Sequence, residues 1–290
     1  MSTYHLYALL LSALPASAAL TQLRLEDYRL VETIPLVLPG NTEASGVAYS
    51  KDNDRLYIVE DEGLTLYETD TRGNVLSTMT MSGFADVEGI TSIGNGQFLL
   101  VEERLQDVYK ITYTPGGTLR RATLPFFSFG GEVGNTGLEG VSYDPVTGRI
   151  IGVKEKIAQA LYTADINLGT MGGTVSGFDP GLSSTLQDLA DVQSLATVLS
   201  LRGTPDESNL IVISQESAAL VEIDRAGAIL GRLDFTGLSA TAEGVTIDQD
   251  GTIYVVSEDP KLFIFKPVPE PSSAVLVVAG LAFAGRRRRR

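Results

Sequence analysis

One pattern recurs along this chain: an acidic residue, often followed by Gly, opens a short apolar run, a polar turn follows, and a more apolar run closes the phrase. Such runs, bounded by Gly, Asp and Asn, predict short β-strands joined by tight turns. The copies begin at Glu43 (EASGVAYSKDNDRLYIVED), Glu88 (EGITSIGNGQFLLVEE), Glu139 (EGVSYDPVTGRIIGVKE), Asp191 (DVQSLATVLSLRGTPDESNLIVISQE) and Glu243 (EGVTIDQDGTIYVVSED). The opening acids are 45, 51, 52 and 52 residues apart. That period holds four short strands, the size of one propeller blade.

The first copy predicts a whole blade: strands at 46–49, 56–59, 65–69 and 75–81, with turns at 51–54, 61–63 and 70–74 where Asp, Asn and Gly supply local hydrogen bonds or positive φ. The last copy offers only three strands, ending near 263–266. The run 29–36 (RLVETIPL) can supply the fourth and close the ring without an exposed edge. The fold expected is therefore all-β: a single β-propeller over 28–266, five-bladed and closed by an N-terminal strand completing the last blade. Residues 167–193, rich in Gly, Ser and Asp, are either a long loop or part of a sixth blade.

Composition narrows the chemistry. The net charge is −14, and about −19 without the five arginines at the end of the chain. So acidic a surface repels nucleic acid phosphates. The chain has no Cys and one His, His5, which lies in the N-terminal apolar segment. Without imidazole or thiol in the folded part, Ser-His-Asp and Cys-His catalysis are excluded, as are the usual zinc, copper and haem sites. A resident metal would be a hard cation held by oxygen, with calcium the best fit. Gly94-Asn95-Gly96 and Asp250-Gly251 read as hairpin turns and not as phosphate loops, since no helix follows, so no nucleotide is expected.

The two ends read as addresses. Residues 1–18 form an apolar stretch leading to Ala16 and Ala18, a signal peptide with its cleavage site before Ala19. At the other end Pro269, Glu270 and Pro271 precede an apolar run over 274–284, then Arg286, Arg287, Arg288, Arg289 and Arg290. This three-part order over 268–290 resembles the PEP-CTERM sorting signal. The resemblance implies processing by an exosortase after signal peptidase, with transient membrane insertion and delivery to the cell surface or beyond, in Gram-negative bacteria that make exopolysaccharide. The apolar run spans about 17 Å as a helix, short of a bilayer core of roughly 30 Å, so as a transmembrane segment it needs snorkelling arginines or local thinning. The repeated phrases themselves, with Glu-Gly openings and Asp- or Glu-ended second strands, resemble the SdiA-regulated family of bacterial propellers. That resemblance implies the fold and leaves the activity open.

The acids carry the best lead to function. In a propeller the loop entering each innermost strand and the loop leaving the second strand share one face. The first set is Glu43, Glu88, Glu139 and Glu243; the second is Asp61, Glu103, Glu155, Gln215 and Glu258, each two residues after the last apolar residue of its strand. Together they predict concentric acidic rings at one mouth of the central channel, with a break in the fourth repeat. Like charges so close raise one another's pKa or recruit a counter-ion. The ring is a candidate calcium site, a set of carboxylates anchoring neighbouring blades, or one paired with Arg104, Lys154 and Lys156. Two function classes follow: an exported propeller that binds an extracellular polymer or protein through this face, or a calcium-dependent hydrolase of the lactonase-like or phytase-like type with a carboxylate such as Glu43 or Glu243 as base.

Overall fold

The structure, a computed structural model, describes residues 20–40, 43–60, 65–156, 158–237 and 241–268. The signal-peptide segment, Asp61 and the sorting-signal residues Pro269, Glu270, Pro271 and Arg286 to Arg290 lie outside them. Among the described residues no helix is long and apolar enough to cross a membrane.

Five antiparallel sheets form five blades around one axis. Blade I comprises Ala44–Ser50, Arg55–Glu60, Thr65–Thr69 and Val75–Ser82, from innermost to outermost strand. Blade II comprises Val87–Gly94, Gln97–Glu102, Asp107–Thr112 and Phe126–Ser128; blade III, Leu138–Asp144, Arg149–Lys154, Ala160–Asn167 and Gly172–Phe178. Blade IV comprises Asp191–Ser194, Leu210–Ser214, Ala219–Ile223 and Ile229–Asp234. Blade V comprises Ala242–Ile247, Ile253–Ser257 and Lys261–Pro267, and Tyr28–Pro35 pairs antiparallel with Lys261–Pro267 as its outermost strand. The ring therefore closes as the sequence predicts.

The segment 167–193 adds no sixth blade. Its Gly172–Phe178 portion is the exposed outer strand of blade III. The rest leads to blade IV through a short 3-10 turn at Leu182–Ser184, with Leu186 and Leu189 buried. One feature was not legible in the repeat: Thr118–Arg120, between the third and fourth strands of blade II, pairs in parallel with Val75–Ser82 of blade I and ties the two blades at their rims.

The core lies between blades. Tyr57, Val59, Leu66 and Met79 of blade I pack on Ile90, Phe98, Leu100 and Tyr109 of blade II, and equivalent clusters fill the other junctions. Second strands are buried along almost their whole length because a blade covers each face, which is why they read as continuous apolar runs. Closure has its own polar latch. The buried Tyr28 hydroxyl donates to the Gly251 carbonyl at 2.8 Å. Tyr28→Phe leaves that carbonyl without its partner and is expected to cost about 1 kcal/mol, or roughly 2–4 °C in Tm for a domain of this size, measurable by calorimetry.

Candidate functional site

The phrase Glu-Gly has a geometric reason. In blades II, III and V the ladder between the innermost and second strands shifts by one residue, and the residue in the shift is Glu88, Glu139 or Glu243. Such a bulge redirects its side chain out of the pleat, here at the channel mouth where the innermost strands begin. The next residue is glycine because the innermost strands crowd together at the axis. A Cβ on Gly46 would lie 2.6 Å from the Glu88 carbonyl oxygen, one on Gly89 2.8 Å from that of Glu139, and one on Gly244 2.8 Å from the Val47 nitrogen. Only glycine permits that approach.

The same register shows where the expected ring departs from symmetry. In blade I the shifted residue is Ser45, so Glu43 stands two positions earlier and is exposed. In blade IV, Asp191 pairs with Ile213 and occupies the glycine position, and Ala190 precedes it where the other blades carry the bulge residue. Asp191 is therefore not the counterpart of the opening glutamates. Its buried carboxylate accepts the Val192 N–H at 2.7 Å and the Val245 N–H at 2.9 Å, and faces the Val141 N–H, joining blades III, IV and V. Burial pushes its pKa well up, against the pull of those donors.

The second set meets the first across each blade junction. Glu103 of blade II faces Glu139 of blade III, and Gln215 of blade IV donates its amide to Glu243 of blade V at 2.5 Å. Glu258 lies beside Glu243, and the charge of Glu155 reaches both Glu139 and Glu243. Glu103, only 1% exposed, accepts the Gly137 N–H on Oε1 at 2.8 Å, so the blade-anchoring role belongs to this residue. Its Oε2 is buried without a hydrogen-bond donor. Carboxylate oxygens of Asp86, Glu88 and Glu103 lie within 4.8 Å of one another.

The charges are only partly balanced. Arg104 pairs with Asp86 at 2.5 Å, and Lys156 pairs with Glu155 at 2.5 Å and with Glu216 at 2.8 Å. Glu103 and Glu139 form no ion pair among the described residues, though the Arg104 charge reaches Glu103. Burial raises the pKa of Glu103 to about 7, against hydrogen bonds from Glu139 and the Gly137 N–H and with Asp86 adding to the rise; burial, then the charges of Glu88 and Glu103, raises that of Glu139 well above the usual range. Burial first, then Glu258 and Asp188, lifts Glu243 to about 8.

Asp86 and Asp188 were not singled out from the sequence. Asp188 is buried and holds the Ser214 hydroxyl and the Glu216 N–H at the equivalent corner of blade IV. Both lie just upstream of an innermost strand, where an acid preceding the repeated phrase was the available signal.

A family model described as SdiA-regulated matches residues 21–266, and the PEP-CTERM protein-sorting motif matches residues 267–290. That motif implies exosortase-type sorting machinery, and with it export and membrane-associated sorting. Among solved structures, a catalytically inactive virginiamycin B lyase from Staphylococcus aureus bound to quinupristin is similar at 14% identity and a TM-score of 0.46, over 80% of this chain and 69% of that one. A streptogramin B lyase is similar at 10% identity and a TM-score of 0.46, over 82% and 97%.

Proposed function

The chain belongs to the SdiA-regulated family, and we propose that it is an exported binding propeller of the cell surface or extracellular matrix, holding calcium at its acidic channel mouth. The observation that carries this reading is the Glu103–Glu139 junction. The buried Glu103 and half-buried Glu139 carboxylates face each other, and Oε2 of Glu103 is buried without a hydrogen-bond partner. Either a shared proton or a hard cation balances such a pair, and calcium takes six to eight oxygen ligands at a flexible site. Glu88 and Asp86 adjoin the same point. In this reading the Pro-Glu-Pro tail, with its apolar run and terminal arginines, brings the chain to exosortase after signal peptidase, the membrane holds it only in passage, and the folded propeller presents a calcium-stiffened mouth to an extracellular polymer or protein.

The binding reading is favoured over the hydrolase because the carboxylates at the mouth are engaged with one another and with backbone N–H groups. Glu43, one of the two residues considered as base, is displaced from the bulge position and exposed.

Calorimetric titration of chelator-treated protein at pH 8 tests the proposal. Calcium is expected to bind with a Kd at or below about 1 mM, and the double variant Glu103→Gln with Glu139→Gln to weaken it at least about tenfold, or 1.4 kcal/mol. Heat-free titrations at millimolar calcium would overturn it. Lactones and phosphate esters supplied with calcium read the same site for turnover. Hydrolysis that disappears in the double variant would replace the binding reading with the hydrolase.

A further inference from the structure

The innermost strands all run the same way through the ring, so their C-terminal ends form a second mouth, opposite the glutamates. Counting two residues on from the glycine position gives Ala48, Thr91, Ser142, Gln193 and Thr246, one from each blade. A strand alternates its side chains, so these share the channel-facing side with the glycines. No charge appears among them. Beyond them lies a cavity of about 320 Å³ whose wall includes Tyr49, Ser92, Asn95, Tyr143 and Gln249. Its only charged lining residues are the neighbours Lys51 and Asp52, which offset each other.

Part of this lining is held rigid by the protein itself. Thr246 donates to Gln193 Oε1 at 3.0 Å and accepts the Tyr49 N–H at 3.0 Å, and Gln193 donates to Thr197 at 3.1 Å. Thr197 belongs to the long segment 195–209, which joins the first two strands of blade IV where the other blades use tight turns. Gln249 clasps that segment by donating to the Thr197 carbonyl at 3.1 Å and accepting the Leu199 N–H at 3.0 Å. The single elaborated loop of the innermost hairpins thus builds a wall of this cavity.

The rest of the lining has capacity to spare. Thr91 is 4% exposed, and its hydroxyl makes no hydrogen bond among the described residues; neither does the Asn95 amide nor the Tyr143 hydroxyl. Hydroxyl and amide groups both donate and accept, and two half-buried tyrosine rings add apolar surface with a polar edge. A carboxylate or phosphate ligand would find no unopposed cation here, and a purely apolar one would strand these polar groups. A sugar is the reverse: many hydroxyls that donate and accept, apolar C–H faces and no charge. The volume lies at the lower end of the roughly 300–1,000 Å³ of small-molecule sites.

We propose that the mouth opposite the acidic cluster is a binding site for a neutral saccharide of one or two rings, lined by Thr91, Ser92, Asn95 and Tyr143, with Tyr49 across from them. The site rests on the binding reading given above and adds to it a ligand class and a separate location.

The test is NMR on the intact propeller with maltose, cellobiose, lactose and trehalose at about 10 mM, enough to fill most of a site whose Kd is near 1 mM. At least one sugar is expected to show saturation transfer and to shift the amides of 91–95, 143 and 246–249, with or without calcium. Tyr143→Phe, which keeps the ring, is expected to weaken binding several-fold, and Ser92→Phe, which fills the cavity, to abolish it. Absence of transfer from all four sugars, or shifts confined to 86–88, 103 and 139, would overturn the assignment. Because the shift map needs no substitution, a variant that fails to fold leaves the test intact. Calcium calorimetry reads the other mouth, so failure there is seen separately.

Discussion

Gly140→Ala is expected to cost a large part of the protein's folding stability. A Cβ at this position would sit 2.5 Å from the Asp191 Cα and 3.0 Å from Val153 Cγ2, and would also press on the Asp191 carboxylate. The first of these is backbone in the neighbouring blade, at the narrowest part of the ring, where nothing can swing aside. Overpacking of a core commonly costs about 1–3 kcal/mol when side chains can adjust. Here the added carbon must push apart two innermost strands and would disturb the three-way junction at Asp191, so a loss of about 4 kcal/mol or more is expected, a large part of the stability of an ordinary domain. Gly131→Ala is the control. Its Cβ would meet nothing within 4 Å, and its φ is not in the left-handed region. It should therefore fall within about 0.5 kcal/mol of the parent. Urea unfolding of the two variants beside the parent reads the difference directly. A Gly140→Ala protein as stable as the control would mean that the blades are not packed as closely as described.

The second large effect is a fall in stability as pH rises in the absence of divalent cations. Glu103, Glu139 and Glu243 all titrate above the ordinary carboxylate range in the folded protein, to about 7 for Glu103 and about 8 for Glu243. An unfolded glutamate titrates near 4.3. Between those values the native state holds more protons than the unfolded chain, so the slope of unfolding free energy with pH is negative. The contribution of these groups is complete below about pH 4 and lost as pH climbs through 7 and 8. Each unit of displacement corresponds to about 1.4 kcal/mol, so Glu103 and Glu243 together are expected to cost several kcal/mol between pH 5 and pH 8 in chelator, with Glu139 acting in the same direction. Calcium should restore most of that loss at pH 8 and little at pH 5, where protons already occupy the site. Thermal unfolding at both pH values, with calcium and with chelator, checks all four corners. Stability that rises steadily from pH 5 to pH 8 in chelator would show the carboxylates to be otherwise compensated.

Much of the fold was legible because a propeller repeats its sequence constraints with its geometry. The second strand of each blade is sandwiched between neighbours, so LYIV, FLLV and IYVV stand out as continuous apolar runs. The closing strand could be inferred from a shortage of one strand in the last copy and a surplus at the start. What the repeat did not disclose depended on register. Glu43 and Glu139 both open their copies, yet an extra Ala-Ser in blade I moves Glu43 out of the bulge and onto the surface, leaving Ser45 in its place. Asp191 looked like a substitute for the opening glutamate and in fact stands where glycine stands elsewhere. A one-residue offset of this kind reverses which face a side chain takes, and apolar runs alone do not fix it.

The candidate site divides along the same line. The second set of acids follows the strands directly, so the placement of Glu103, Glu155 and Glu258 on one face could be read from their common distance behind the last apolar residue. Pairing across blades could not, because it joins residues far apart in sequence: Glu103 to Glu139, and Gln215 to Glu243. Likewise the acid pairs that end second strands divide their labour in space. Glu102 turns into the blade and accepts the Ala85 N–H, whereas Glu103 faces the channel mouth. The neutral second mouth carries no motif in the usual sense; it emerges only when the five innermost strands are aligned on their glycine position.

The proposed calcium-holding mouth requires a hard cation at the junction between blades II and III. Anomalous diffraction from crystals grown at pH 8 and soaked in a calcium-mimicking lanthanide measures this most directly. A strong peak is expected within about 2.3–2.6 Å of the carboxylate oxygens of Glu103 and Glu139, absent from the Glu103→Gln, Glu139→Gln double variant. A map with no peak at that junction, and with the two carboxylates still in contact, would contradict it.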